Sequence, residues 1–306
     1  VFPAMRVSYK QIRAILLETE NLSSITQVAK INREIAKILK AEYGASWELI
    51  TKELNDIAAY EAEFSANLLQ DSTTEKVIVP TSAAVEAYAA KELMSLQSGE
   101  RSRVDVWSAF VSQNIDSSVS TVNNIVKAAY VRGDTVRQAS TAVSNALDGT
   151  LRRNAETLAR TGVQHYANAA RKAMYEANLD VIDSWYFSAT LDNLTSMVCA
   201  GLDGKRWTEQ KNVRWPPLHF NCRSAVIGLT KGQKYPDGSR AAIGAGENYD
   251  KGDVYRGRKD LTSGNFKITQ ARPTTSYEDF LRRQPKDFQE SVLGVGKAKL
   301  FREGLP

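Results

Sequence analysis

The chain has only two cysteines and two histidines in 306 residues, yet both cysteines and one histidine fall between Cys199 and Cys222. His219 and Cys222 form an H-x-x-C pair in "RWPPLHFNCRS", and Cys199 stands twenty-three residues before Cys222 in "VCAGLDGKRW". Two thiolates and an imidazole at these intervals can surround zinc, since residues three apart on a turn face inward together. A structural zinc wants a fourth ligand. Asp203 or Asp192 could supply it, or water could; Ser196, at the position that would complete a C-x-x-C pair, is a poor ligand. A disulfide between Cys199 and Cys222 is a second reading. A compact hydrogen-bonded fold with buried thiols, filled out by Trp207 and Trp215, is a third.

Catalysis needs more than these residues offer. A Cys199 nucleophile with His219 as base lacks an orienting third group. A metal-dependent hydrolase or nuclease using His219 and Asn221 normally wants a second histidine. The remaining one, His165, lies in a helical pattern and reads as a core or interface residue. No enzyme is expected, and no resident cofactor beyond a structural zinc.

The elements that must carry the patch are mostly helices. From Ile25 through Leu39 the apolar residues recur at a helical period, and after "YGAS" a seam runs from Trp47 through Leu68 with Glu61 as its charged intruder. Ser46 reads as an N-cap there, which predicts two helices packed as a hairpin. Val77–Val79 suggests a short strand before Pro80. "SAAVEAYAAKELMSLQ" reads as a helix ended at Gly99, and Gly133 as a stop and Asp134 as a cap mark another helix before a long helical run from Leu151. "DSWYFSATL" favours a strand. Residues 231–272 carry seven of the eighteen glycines and no apolar period, which reads as an extended arm. Two short helices follow, one capped by Ser276 and one beginning after Pro285, with a last apolar and basic turn at Lys297–Phe301.

Charged residues at 25% and listed hydrophobics at 42% fit a chain that folds around ordinary cores. Apolar runs are interrupted well before eighteen positions, so no membrane partner is expected. A net charge of +5 permits contact with nucleic acid through Arg152, Arg153, Arg171, Lys172 and the basic arm. Two cysteines fit a reducing compartment. A chain opening at Val1 and closing on "FREGLP" has the look of a piece of a longer product.

With these residues in view, the sequence resembles the phage Mu F-like head morphogenesis family, the minor head proteins of tailed bacteriophages. The family's segment runs as an A-R-T step on a helix, then Asn, then D-x-x-T before a cysteine, then D-G and P-P-x-H-x-x-C-R. Here Arg160, Thr161 and Asn168 supply the first part. Asp192 and Thr195, then Cys199, Asp203 and Gly204, supply the middle. Pro216, Pro217, His219, Cys222 and Arg223 close the set. Ser196 stands where some members carry a cysteine, and Asn193 and Leu194 stand where charged residues are common.

The resemblance covers roughly Leu151 to Leu229. It implies a mainly α chain with a small α+β domain, divided as a helical region 1–150, a Mu F-like domain 151–230, a glycine-rich arm 231–272 and a short helical segment 273–306. It implies a structural protein of the virion head, at the portal vertex or in the head interior, taking part in head assembly and in DNA packaging or ejection, with the host cytoplasm as its place during assembly. Its partners would be the portal protein and other head proteins, with weak contact to packaged DNA and multiple copies per virion.

Overall fold

Helix length is the first departure from the sequence reading. In the computed structural model, which describes residues 2–18 and 24–304, α1 spans Phe2–Leu17 and α2 runs unbroken for 47 residues over Ile25–Asp71. Val1 and the last two residues of "FREGLP" lie outside the described residues. The break expected at "YGAS" does not occur. A lone glycine inside a helix costs only about 1 kcal/mol against alanine, and no proline follows to enforce a stop. Ser46 is not a cap: its hydroxyl donates to the Glu42 carbonyl at 2.9 Å, and Thr51 donates to Trp47 O at 2.8 Å. The polar groups that suggested a terminus are absorbed by the preceding turn.

The chain divides into two units, Val1–Tyr60 with Ser82–Ala169, and Glu61–Thr81 with Ala170–Pro306. In the first, α3 (Ser82–Lys91) stops before "LMSLQ", which becomes β1 (Met94–Ser98) of a hairpin with β2 (Arg101–Asp105). Gly99, at φ 61, makes the turn instead of ending a helix. Next comes α4 (Trp107–Arg132), closed by Gly133 in the left-handed conformation. Thr135 rather than Asp134 caps α5 (Val136–Ala146), through a reciprocal capping box with Gln138. A π-helical turn at Leu147–Leu151 leads into α6 (Arg152–Glu176), so the expected boundary at 150 falls within helical backbone.

The core of this unit is aromatic. Trp107 meets the rings of Trp47 and Tyr166 edge-on, at 5.7 and 6.0 Å between centroids, and its indole N–H donates to Thr51 Oγ1. Gly162 leaves the space that the Trp107 ring fills; a Cβ there would lie 2.6 Å from it. His165 is buried, with Nε2 3.1 Å from the Ala89 carbonyl, so that nitrogen carries the hydrogen. Burial pushes its pKa down to about 4.

The second unit is built on a three-stranded antiparallel sheet of order β4–β3–β5. Its strands are β3 (Ile182–Ser188), β4 (Arg206–Trp207) and β5 (Ala225–Thr230), with α7 (Met197–Leu202) between the first two. Trp185 pairs with Trp207 on one side and Gly228 on the other. No strand forms at Val77–Val79; instead Asn178 bonds both backbone groups of Ile78.

The arm expected at 231–272 is a correction. It holds β6 (Arg240–Ala245), the short helix α8 (Arg258–Ser263) and β7 (Phe266–Ala271), the two strands paired antiparallel with Ile243 opposite Ile268. Its glycines serve turns at positive φ, as at Gly238 and Gly264, and Phe266 enters a core with Leu191, Tyr277, Phe280 and Phe288. Three helices end the described chain: α9 (Tyr277–Arg282), α10 (Lys286–Leu293) and α11 (Val295–Arg302). Ser276 caps α9 as the sequence indicated, in a capping box with Asp279. Helix takes more than half of the described residues and the strands form small antiparallel sheets, so the fold is mainly α with a small α+β part.

Candidate metal centre

Cys199 is aimed by a cap. The Ser196 hydroxyl accepts from the Cys199 N–H at 3.3 Å and starts α7, turning the Cys199 sulfur inward on the first turn. His219 and Cys222 are aimed by a turn in which the Cys222 N–H donates to the His219 carbonyl at 3.1 Å. That turn puts Asn221 at φ 58, a conformation asparagine tolerates better than most residues, so Asn221 serves the backbone. Before it, Pro216 and Pro217 are joined by a cis peptide, and Leu218 is buried beside both cysteines.

These two local devices bring the ligand atoms of Cys199, His219 and Cys222 within 4.8 Å of one another. The sulfurs are 3.7 Å apart as free thiols, not a disulfide. His219 Nε2 lies 3.2 Å from the Cys199 sulfur and 2.8 Å from the Ser196 hydroxyl. On the other side of the ring, Nδ1 is 2.8 Å from the Phe220 carbonyl. A carbonyl only accepts, so Nδ1 carries the hydrogen, and Nε2 accepts from the Ser196 hydroxyl with the Cys199 sulfur beside it. The hydrogen bond from Cys199 holds Cys222 below the ordinary thiol range, with His219 and backbone bonds at Leu218 and Ser224 adding to it against burial. The same contact, with burial, pushes Cys199 above the ordinary thiol range, and contact with the Cys222 sulfur raises His219.

The two carboxylates considered as a fourth ligand are engaged elsewhere. Asp203 is fully buried; it takes a forked bond from Arg240 at 2.7 and 3.1 Å and the N–H groups of Ala189 and Tyr277. Asp192, also fully buried, pairs with both terminal nitrogens of Arg223 and accepts from Leu194 N and Thr195 Oγ1. Neither belongs to the sulfur–imidazole group. The D-x-x-T and D-G steps are anchors for arginines.

Residues 120–227 match the family model described as Phage Mu protein F like protein. The chain carries a Mu F-like domain. No curated protein and no solved structure matches the chain. The matched stretch begins within α4, ahead of the start expected at 151, and ends in β5.

Within the Mu F-like domain the motif residues fall in both units. Arg160, Thr161 and Asn168 belong to the first. Thr161 is buried and bonds back to the Thr157 carbonyl at 2.7 Å, Asn168 is buried and donates to Gln164 O at 2.8 Å, and Arg160 is exposed. Thr195, Gly204, Pro217 and Arg223 lie in the second with the cysteines and His219. Gly204, at φ 80, makes the turn after α7, its N–H donating to the Phe187 carbonyl.

The basic residues proposed for nucleic acid are partly engaged. Arg152 pairs with Glu156, Arg153 reaches Thr150, Arg171 forms a half-buried pair with Glu61 at 2.6 Å, and Lys172 lies over the Trp215 ring. Glu61, the charged intruder in the apolar seam, is explained by that pair.

Sequence reasoning missed Arg240 and Tyr277. Arg240 also donates to the carbonyls of Ala189 and Thr275, and Tyr277 donates its hydroxyl to Asp192 O at 2.7 Å. Nothing in "SRAAIGA" marks Arg240, since no local pattern names a partner 37 positions away.

Proposed function

We propose that the chain is a structural minor head protein of a tailed bacteriophage, acting in head assembly beside the portal and in DNA packaging or ejection. The observation that carries this reading is the use made of the Mu F-like motif: Asp192, Asp203, Arg223 and the thiol–imidazole cluster all bind other parts of the same unit. A catalytic site would turn such groups toward a substrate. Here both thiols and both carboxylates are buried. The portal protein and neighbouring head proteins are the partners in this reading, the virion its location, and the host cytoplasm its place of assembly. No described helix is long and apolar enough to cross a membrane.

The test is the place of the chain in assembled particles. Density for this fold beside the portal ring, in a particle reconstructed without imposed head symmetry, is the expected result. Absence of the chain from purified particles would contradict it. The rival reading as a hydrolase is checked with purified chain, DNA and divalent ions: turnover abolished by His219→Ala would establish it, and an inert chain is expected. Contact with packaged DNA would show as binding that weakens steeply with salt.

A further inference from the structure

We infer that Cys199, Cys222 and His219 bind a structural zinc ion whose fourth position is filled by a water held at the Ser196 hydroxyl. This stands independently of the assembly reading, since it rests on ligand geometry alone.

Tetrahedral zinc with thiolates at about 2.3 Å holds its sulfurs about 3.8 Å apart; the two sulfurs here are separated by 3.7 Å. An imidazole nitrogen on the same ion would stand about 3.6 Å from each sulfur; Nε2 is 3.2 Å from the Cys199 sulfur and within 4.8 Å of the Cys222 sulfur, in reach of that spacing. The ring is already in the ligating tautomer, with Nδ1–H fixed on the Phe220 carbonyl and Nε2 beside the Cys199 sulfur.

Charge points the same way. Once the two thiols give up their protons to a divalent cation, the cation, two thiolates and a neutral imidazole form a neutral group, which suits a site where both cysteines are 1% exposed. A void of about 10 Å³ lies against Ser196, Cys199 and His219, room for a single water. Ser196 Oγ is 2.8 Å from Nε2, close enough to hold that water beside the ion. Zinc there would tie α7 to the His219–Cys222 turn, adding a fixed link between two short segments. Asp203 and Asp192 take no part, being committed to Arg240 and Arg223.

The experiment uses the full chain purified without added metal. Elemental analysis should find a single zinc per chain. After chelation, Co²⁺ should restore a thiolate-to-metal charge-transfer band and the visible bands of a tetrahedral site. Alkylation of Cys199 and Cys222 in the wild-type chain should be slow with Zn²⁺ present and at least about tenfold faster after chelation. Ser196→Cys supplies a fourth protein ligand and should tighten zinc binding at least about tenfold, while Cys222→Ser should weaken it by about a hundredfold or more. A chain that arrives free of zinc, shows no charge-transfer band with Co²⁺ and alkylates at one rate with or without Zn²⁺ overturns the inference. Should Cys222→Ser fail to fold, the wild-type metal content and alkylation rates decide.

Discussion

The two units solve the same problem with different chemistry. In the first, long helices bury aromatic rings against one another, and Trp47, Trp107 and Tyr166 fill the space around Gly162. In the second, short strands and helices are joined by buried charge: Asp203 to Arg240, Asp192 to Arg223, and two thiols to an imidazole. A long amphipathic helix can bury a broad apolar stripe; a six-residue strand or helix cannot. Where single elements are this short, directional bonds add to the apolar cores around Phe187 and Phe288 in fixing the geometry. Loss of a buried charge partner in the second unit should therefore cost more than loss of any one polar group in the first.

The largest expected effect breaks the second unit. Asp203→Ala leaves the Arg240 guanidinium buried without its partner, and should cost about 3–5 kcal/mol in denaturant unfolding. A loss near zero would mean that Arg240 finds water, and that the tether is not what holds the segment.

The next effect tests the first unit through pH. His165 has a folded pKa of about 4, below the unfolded value of about 6.5. Above the unfolded value both states are neutral and the group contributes no pH dependence. As pH falls from about 6.5 toward 4 the unfolded chain takes up a proton that the folded chain refuses, so stability drops, by up to about 3 kcal/mol. His165→Gln should flatten that acid slope; an unchanged slope would place the titration elsewhere.

Gly162→Ala should cost about 1–3 kcal/mol, because the added methyl meets the Trp107 ring and outweighs the gain in helix propensity. Smallest are the caps. Thr135→Ala in the first unit and Ser276→Ala in the second should each cost about 1 kcal/mol, since a capping box is local in either setting. A much larger cost at Ser276 would show that its cap also sets the Tyr277 N–H on Asp203.

What could be read ahead divides along the same line. The Cys199–His219–Cys222 group was legible because rare residue types at close intervals leave few places to go. The helical character of the first unit was legible in the apolar period, but the continuity of α2 was not, since Ser46 looks the same in sequence whether it caps a helix or bonds back four residues. The arm was misread because glycines at positive φ turns hide a hairpin whose strands are six residues each. Asp192 and Asp203 stood out through the family resemblance, yet their role did not. Arg223 lies 31 residues from Asp192 and Arg240 lies 37 from Asp203, and no spacing rule links them.

The claim under all of this is that the motif residues near position 200 are architectural. Thermal unfolding of Cys199→Ala, followed beside DNA hydrolysis by the same samples, tests it most directly. The account predicts a lowered unfolding temperature and no turnover in either wild type or variant. Wild-type unfolding together with a hydrolytic activity lost on substitution would contradict it.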